Sequence, residues 1–146
     1  MWVPITETLF SDTLLAVEKS ALDALKARPG STAAEQLARQ IEQVTNKVRG
    51  YCPLKVLRGP DGTIPDEVMT DALAMLRKVY FTGMPELRKL WTTAREEEYL
   101  QAIDLMKQWA RGDFHVVAPE SPAPVDEQPP GPSVEIIRMD DEGWGF

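Results

Sequence analysis

Apolar residues recur at steps of three and four along most of the first 117 positions. The clearest run lies in AAEQLARQIEQVTNKVRG, where Leu37, Ile41, Val44, Val48 and Tyr51 follow one another at helical spacing. That is a narrow apolar stripe with charged flanks, the mark of a helix that buries one face. Thr32 and Glu35 stand at capping-box spacing before it, and Gly50 stands where a left-handed cap would end it. An earlier helix is expected over TLLAVEKSALDALKA, residues 13–27, capped by Ser11 or Asp12. Leu14, Leu15, Ala21, Leu22 and Leu25 fall near one face, and Pro29 with Gly30 ends it.

The widest apolar band belongs to DEVMTDALAMLRKVYF. Val68, Met69, Ala72, Leu73, Met75, Leu76, Val79 and Tyr80 cover so much of its circumference that this helix should be central. Pro65 suits its first turn, with Asp66 and Glu67 at its positive end, and Gly83 and Pro85 stop it. A short connector, MPELRKLW, should pack down through Leu87, Leu90 and Trp91. The last helix starts near Thr93 and Glu96 and continues REEEYLQAIDLMKQWARG. Tyr99, Ile103, Met106 and Ala110 face inward, Leu100 and Trp109 flank them, and Gly112 ends the run. FHVV, residues 114–117, has strand character. Burying one Leu- or Val-sized side chain contributes roughly 1.5–3 kcal/mol, so these stripes suffice for a small bundle. The fold class expected is all-α: about four helices, with an extended C-terminal arm containing a short strand.

Between the second and third helices lies CPLKVLRGPDGTIP. GPDG is a turn, because Pro60 presets φ, Asp61 can bond its own backbone and Gly62 supplies a positive φ. Leu54, Val56, Leu57 and Ile64 are too apolar for a purely solvated loop. They either cover the core or meet another subunit, and Leu54, Val56 and Leu57 are candidate partner-binding residues.

After residue 117 the pattern changes. APESPAPVDEQPPGP is a proline spacer that cannot bury enough surface to fold alone. SVEIIRM then offers high β propensity with no second strand of its own, and DDEGWGF closes the chain. Three segments result: a helical domain at 1–117, a linker at 118–132 and a docking arm at 133–146. Extended apolar segments on a tether dock by adding to a sheet edge or lying in a groove. Val134, Glu135, Ile136, Ile137, Arg138 and Met139 are therefore candidate partner-binding residues, with Trp144 and Phe146 as terminal anchors.

Charge sharpens this division. The chain of 146 residues has a formal net charge of −7. Residues 118–146 hold seven acids and one base, a net of −6, so the helical domain is nearly neutral. Its Lys and Arg are spread among acids, which argues against a phosphate-binding face and so against direct DNA or RNA binding. The single cysteine, Cys52, cannot belong to a disulfide framework and reads as a small, partly buried hydrophobe in a reducing compartment. No run approaches the roughly 20 apolar residues of a membrane span. MWVPITETLF lacks the basic and apolar regions of a signal peptide, so synthesis in the cytosol is expected.

Catalytic chemistry finds little footing. His115 is the sole histidine and has no nucleophile or orienting acid beside it in sequence. Glu96, Glu97 and Glu98 point in three directions on a helix and cannot converge on a metal; they complement its dipole instead. No glycine-rich phosphate loop is present, since RGPDG lacks the Lys and the following helix. Trp91 and Trp109 read as packing residues. No catalytic, metal or cofactor residue is assigned, and binding or assembly is the expected role.

VTNKVRGYCP, a variable loop, IPDEVMTDALAMLRKVYF and AREEEYLQAIDLMKQWARGDFHV, in that order, resemble the head-to-tail adaptor (connector or head-completion) proteins of tailed bacteriophages, of the Mu-like and related siphophage type. The likeness covers about residues 33–117. It rests on Arg49-Gly50-Tyr51 at a helix end, on Ile64-Pro65 before an acid, and on Arg95, Tyr99, Ala102, Met106, Ala110 and Gly112 along the last helix. The central helix departs from the family pattern at Arg77-Lys78-Val79-Tyr80, and Met106 stands where Leu is commoner. The resemblance implies a structural virion protein and not an enzyme. It implies a ring, usually twelvefold, that sits beneath the portal protein in the neck, is made in the host bacterial cytoplasm, and gives the stopper or other tail proteins their platform while DNA passes through without specific binding. Two other roles fit the same residues: another neck component, such as a stopper or tail-completion protein, and a cytosolic scaffolding protein whose tail is a linear motif.

Overall fold

A computed structural model describes residues 1–119. Nine short and long elements run in order: β1 (Trp2–Val3), α1 (Glu7–Asp12), α2 (Ala16–Lys26), α3 (Ala33–Tyr51), β2 (Ile64–Pro65), a 3-10 turn (Asp66–Val68), α4 (Met69–Gly83), α5 (Pro85–Arg88) and α6 (Thr93–Ala110). The fold is all-α in character. The four expected long helices are α2, α3, α4 and α6; α1 and α5 are additional short ones.

The centre is α4. Ala72, Leu73, Ala74, Met75, Leu76 and Arg77 are buried without interruption, followed by Tyr80 and Phe81. Successive helical residues turn by about 100°, so six buried in a row leave no face for water. Helices α6 and α3 flank it most extensively, with α5 and α1 closing the remaining sides. Leu37, Val44 and Val48 from α3 and Ala102, Met106 and Trp109 from α6 supply the facing side chains. Phe10 meets Tyr80 edge to face at 5.9 Å and 89°, and Phe81 at 6.4 Å. The buried Tyr80 hydroxyl donates to the carbonyl of Ala33 at 2.9 Å, and burial pushes its pKa up to about 12.

The first expected helix starts three residues late, and a separate short helix precedes it. α1 ends at Asp12 and α2 starts at Ala16, so the Ser11 or Asp12 cap is not used. Two backbone groups of the corner have other partners. Arg95 Nη2 donates to the Thr13 carbonyl at 3.3 Å, and the Leu15 N–H donates to Glu18 Oε1 at 2.8 Å. A single helix running from α1 through α2 would need both groups internally. Leu15 consequently points outward, 57% exposed, while Leu14, Leu22 and Leu25 pack inward as expected.

Glu18 is 1% exposed and Arg95 8%. Arg95 grips Glu18 through Nη2 at 2.6 Å and Nε at 3.1 Å, and holds Glu98 through Nη1 at 2.8 Å. Arg77, reaching out of α4, donates to Thr13 Oγ1 at 2.9 Å and to Glu98 at 3.3 Å. Its Nε has no hydrogen-bond partner among the described residues. Burial alone would raise the Glu18 carboxyl, but the bonds from Arg95 and Leu15 outweigh it and hold it below the usual carboxylate range. Burial, then the neighbouring Arg95, lowers Arg77, while its bonds to Glu18 raise Arg95.

Several local expectations shift. Gly50 is inside α3, which runs on to Tyr51; the glycines with positive φ are Gly30, Gly62 and Gly112. Thr32 makes no side-chain cap, and Ser31 Oγ accepts the Ala33 N–H instead. The cap of α6 is Thr92, which accepts from the Arg95 N–H. Freed from capping, Glu96 accepts from Lys78 at 2.6 Å and from Trp91 Nε1 at 2.9 Å. Ala110 is exposed and Trp109, expected at the flank, is fully buried. Residues 114–117 form no strand: Phe114 stacks on Trp109 at 6.4 Å, and the Val117 N–H donates to Glu67 at 2.7 Å.

Removing one partner of a buried ion pair strands the other charge, at a cost of about 3–5 kcal/mol. Glu18→Gln should therefore lower stability by about 3 kcal/mol at pH 7. Because the folded carboxyl is held low, this stabilisation is complete above the ordinary value near 4.3 and is lost as pH falls through the folded value. Urea unfolding of both proteins should show the gap closing below about pH 4. An equal gap at pH 7 and pH 3 would contradict the assignment.

Candidate interaction surface

The residues from Cys52 to Thr63 form a long connection between α3 and β2 whose backbone is fixed by two arginines. Arg49, in the last turn of α3, donates Nη1 to the carbonyls of Pro60 at 3.0 Å and Thr63 at 2.8 Å, and Nη2 to that of Gly59 at 3.2 Å. Arg58 donates back to the Cys52 carbonyl at 3.1 Å and reaches that of Arg49 at 3.5 Å. The guanidinium of Arg49 lies 5.6 Å from the Trp2 ring centroid, a cation–π distance.

Trp2 forms the wall behind the loop. β1 pairs antiparallel with β2, Trp2 opposite Pro65 and Val3 opposite Ile64, and the Asp66 N–H donates to the Met1 carbonyl at 2.8 Å. Gly59 presses against Trp2 so closely that an added Cβ would stand 2.8 Å from the Trp2 Cβ and 2.9 Å from its Cγ. Gly62 takes φ of +82°, as the GPDG turn requires. Ile64 and Cys52 are buried, and burial raises the Cys52 thiol against the opposing pull of Arg58 and Arg49. The thiol is packing.

What this scaffold holds outward is apolar. Leu54 is 91% exposed and Leu57 54%, whereas Val56 is half-buried against the core. Of the three candidates in this loop, two therefore face solvent and one anchors it. Val134, Glu135, Ile136, Ile137, Arg138, Met139, Trp144 and Phe146 lie outside the described residues. Sequence reasoning named the leucines but not their support. Arg49 was visible only as a basic residue at a helix end, and nothing along the chain signals that Gly59 sits on Trp2.

His115 and Glu97 are exposed, while Glu98, on the same turn of α6, is engaged by Arg95 and Arg77. Among the described residues no group of three or more His, Cys, Asp or Glu is placed to hold a metal ion. No described helix is long and apolar enough to cross a membrane. Comparison with protein-family models, curated proteins and solved structures gave no match.

Inserting a carbon at a packed backbone contact costs about 1–3 kcal/mol. Gly59→Ala should therefore destabilise the chain by about 2 kcal/mol and displace Trp2. A thermal melt together with amide shifts around Trp2 and Gly59 checks this. Unchanged shifts with unchanged stability would show that the contact is looser than described.

Proposed function

We propose that this chain is a structural neck protein of a tailed bacteriophage, a head-to-tail adaptor whose helical body packs with copies of itself in a ring beneath the portal. The observation that carries the reading is the pinned loop. Two leucines held in water on a backbone fixed by five arginine bonds make an interaction surface rather than a relaxed coil. Several of the positions on which the resemblance rests also have definite work in this fold. Arg49 pins the loop, Ile64 is buried in the core, Arg95 anchors Glu18, Ala102 and Met106 pack on α4, and Gly112 with φ of +81° ends α6. A heterologous contact between such bodies closes into a ring when the rotation permits. The nearly neutral body suits lateral packing, and the acidic residues beyond it repel DNA in transit.

In this reading the portal takes the arm at 133–146, through residues 134–139 with Trp144 and Phe146 as anchors, and the stopper or tail proteins bind the assembled ring. Portal rings from the same genome should capture the purified full chain. Deleting residues 133–146 should abolish capture while the far-ultraviolet circular dichroism keeps its helical form. Normal capture of the shortened chain would rule out the arm as the docking element, and no capture of the full chain would rule out the adaptor role.

A further inference from the structure

Leu54 and Leu57 stand in a stretch of one charge sign. Residues 47–58 contain Lys47, Arg49, Lys55 and Arg58 and no acid. Arg49 and Arg58 spend their hydrogen bonds on carbonyls; Arg49 also lies 3.9 Å from Asp61, which offsets its charge, whereas Arg58 has no acidic partner among the described residues. Lys47 and Lys55 are exposed, with no ion-pair partner among the described residues. Two other exposed leucines have different surroundings: Leu9 is flanked in sequence by Glu7 and Asp12, and Leu100 by Glu97, Glu98 and Asp104. The basic, leucine-bearing loop thus calls for an acidic and apolar occupant. Residues 120–146 of this same chain are of that kind, with seven acids, one base, and Ile136, Ile137, Trp144 and Phe146.

Reach is sufficient. Val117 is tied to Glu67, which lies ten residues beyond Leu57 along the chain. Ten residues span at most about 36 Å. The sixteen residues 118–133, six of them proline, extend to about 50 Å at a polyproline rise. A tethered segment meets its own body at an effective concentration on the order of 1 mM, far above that of a second copy in dilute solution.

We propose that in the unassembled subunit residues 134–146 fold back onto the Leu54–Leu57 loop of their own chain, with the acids at 140–142 facing Lys55 and Arg58 and the apolar side chains covering the two leucines. The contact is autoinhibitory. It keeps the loop from self-association until a partner takes the arm. The loop assignment is shared with the neck reading, but the identity of the partner is not needed.

The test uses the full chain with Trp144 replaced by p-benzoylphenylalanine, as an equimolar mixture of nitrogen-14 and nitrogen-15 protein at low micromolar concentration. Irradiation and mass spectrometry should place the cross-link on residues 53–58 of the same copy. Leu57→Glu and Lys55→Glu, both at exposed positions, should each cut its yield several-fold with unchanged circular dichroism, and 0.5 M salt should weaken it. A link between copies, a link elsewhere, no link, or a yield indifferent to both substitutions overturns the proposal. Failed portal capture with the cross-link intact would sink the neck reading alone, and capture without the cross-link would sink this one alone.

Discussion

A helix with no wet side dictates what every other element must do. From Ala72 to Arg77 each residue of α4 is buried, so the chain must supply a covering surface in every direction around it. Two long helices and two short ones do so, and their apolar faces need only be roughly complementary. Arg77 is the exception that fixes the arrangement. A buried guanidinium requires acceptors and a counter-charge, and these must come from other elements. Thr13 comes from the corner after α1 and Glu98 from α6, while Arg95 brings in Glu18 from α2. Hydrophobic burial tolerates sliding of one helix on another; this cluster of two arginines and two glutamates does not, because each bond has a direction. The register of the α1–α2 corner against α4 and α6 is therefore set by charge and its stability by apolar area.

Periodic features were legible along the chain, and features created by distant partners were not. Leu37, Val44 and Val48 recur at helical spacing, so their burial followed from local sequence, as did the central place of α4. Leu15 has the same apolar character as Leu14 and falls on the same projected face. Its exposure depends on Glu18 and Arg95, the latter eighty residues away in the chain. Ala110 and Trp109 exchanged roles for a similar reason. A small rotation of α6 suffices to bring the larger side chain inward, where Phe114 stacks on it and is thereby taken from the expected strand. Gly50 carries a real turn signal, but Arg49 and Tyr51 on either side are engaged with loop and core, and helix continues through it. Gly59 shows the limit in its purest form, since its meaning lies wholly in the indole it touches.

The loop after α3 follows from the same division of labour between direction and area. A segment with Leu54, Val56 and Leu57 would ordinarily collapse onto the nearest apolar surface. It cannot, because Gly59, Pro60 and Thr63 are bound through their carbonyls to Arg49, and Cys52 through its carbonyl to Arg58. With both ends of the segment fixed, turning Leu54 or Leu57 inward would break bonds to partly buried guanidinium groups, each worth about 1.5–3 kcal/mol. Burial of one leucine gains a comparable amount, so one arginine bond lost for one leucine buried roughly cancels. The bound carbonyls bracket residues 53–58 on both sides, and Leu54 and Leu57 stand exposed between them. Lys55 and Arg58 flank the leucines in sequence, while Arg49 is faced by Asp61 at 3.9 Å. Apolar area and positive charge thus stand side by side along this loop, between the carbonyls that the two arginines bind.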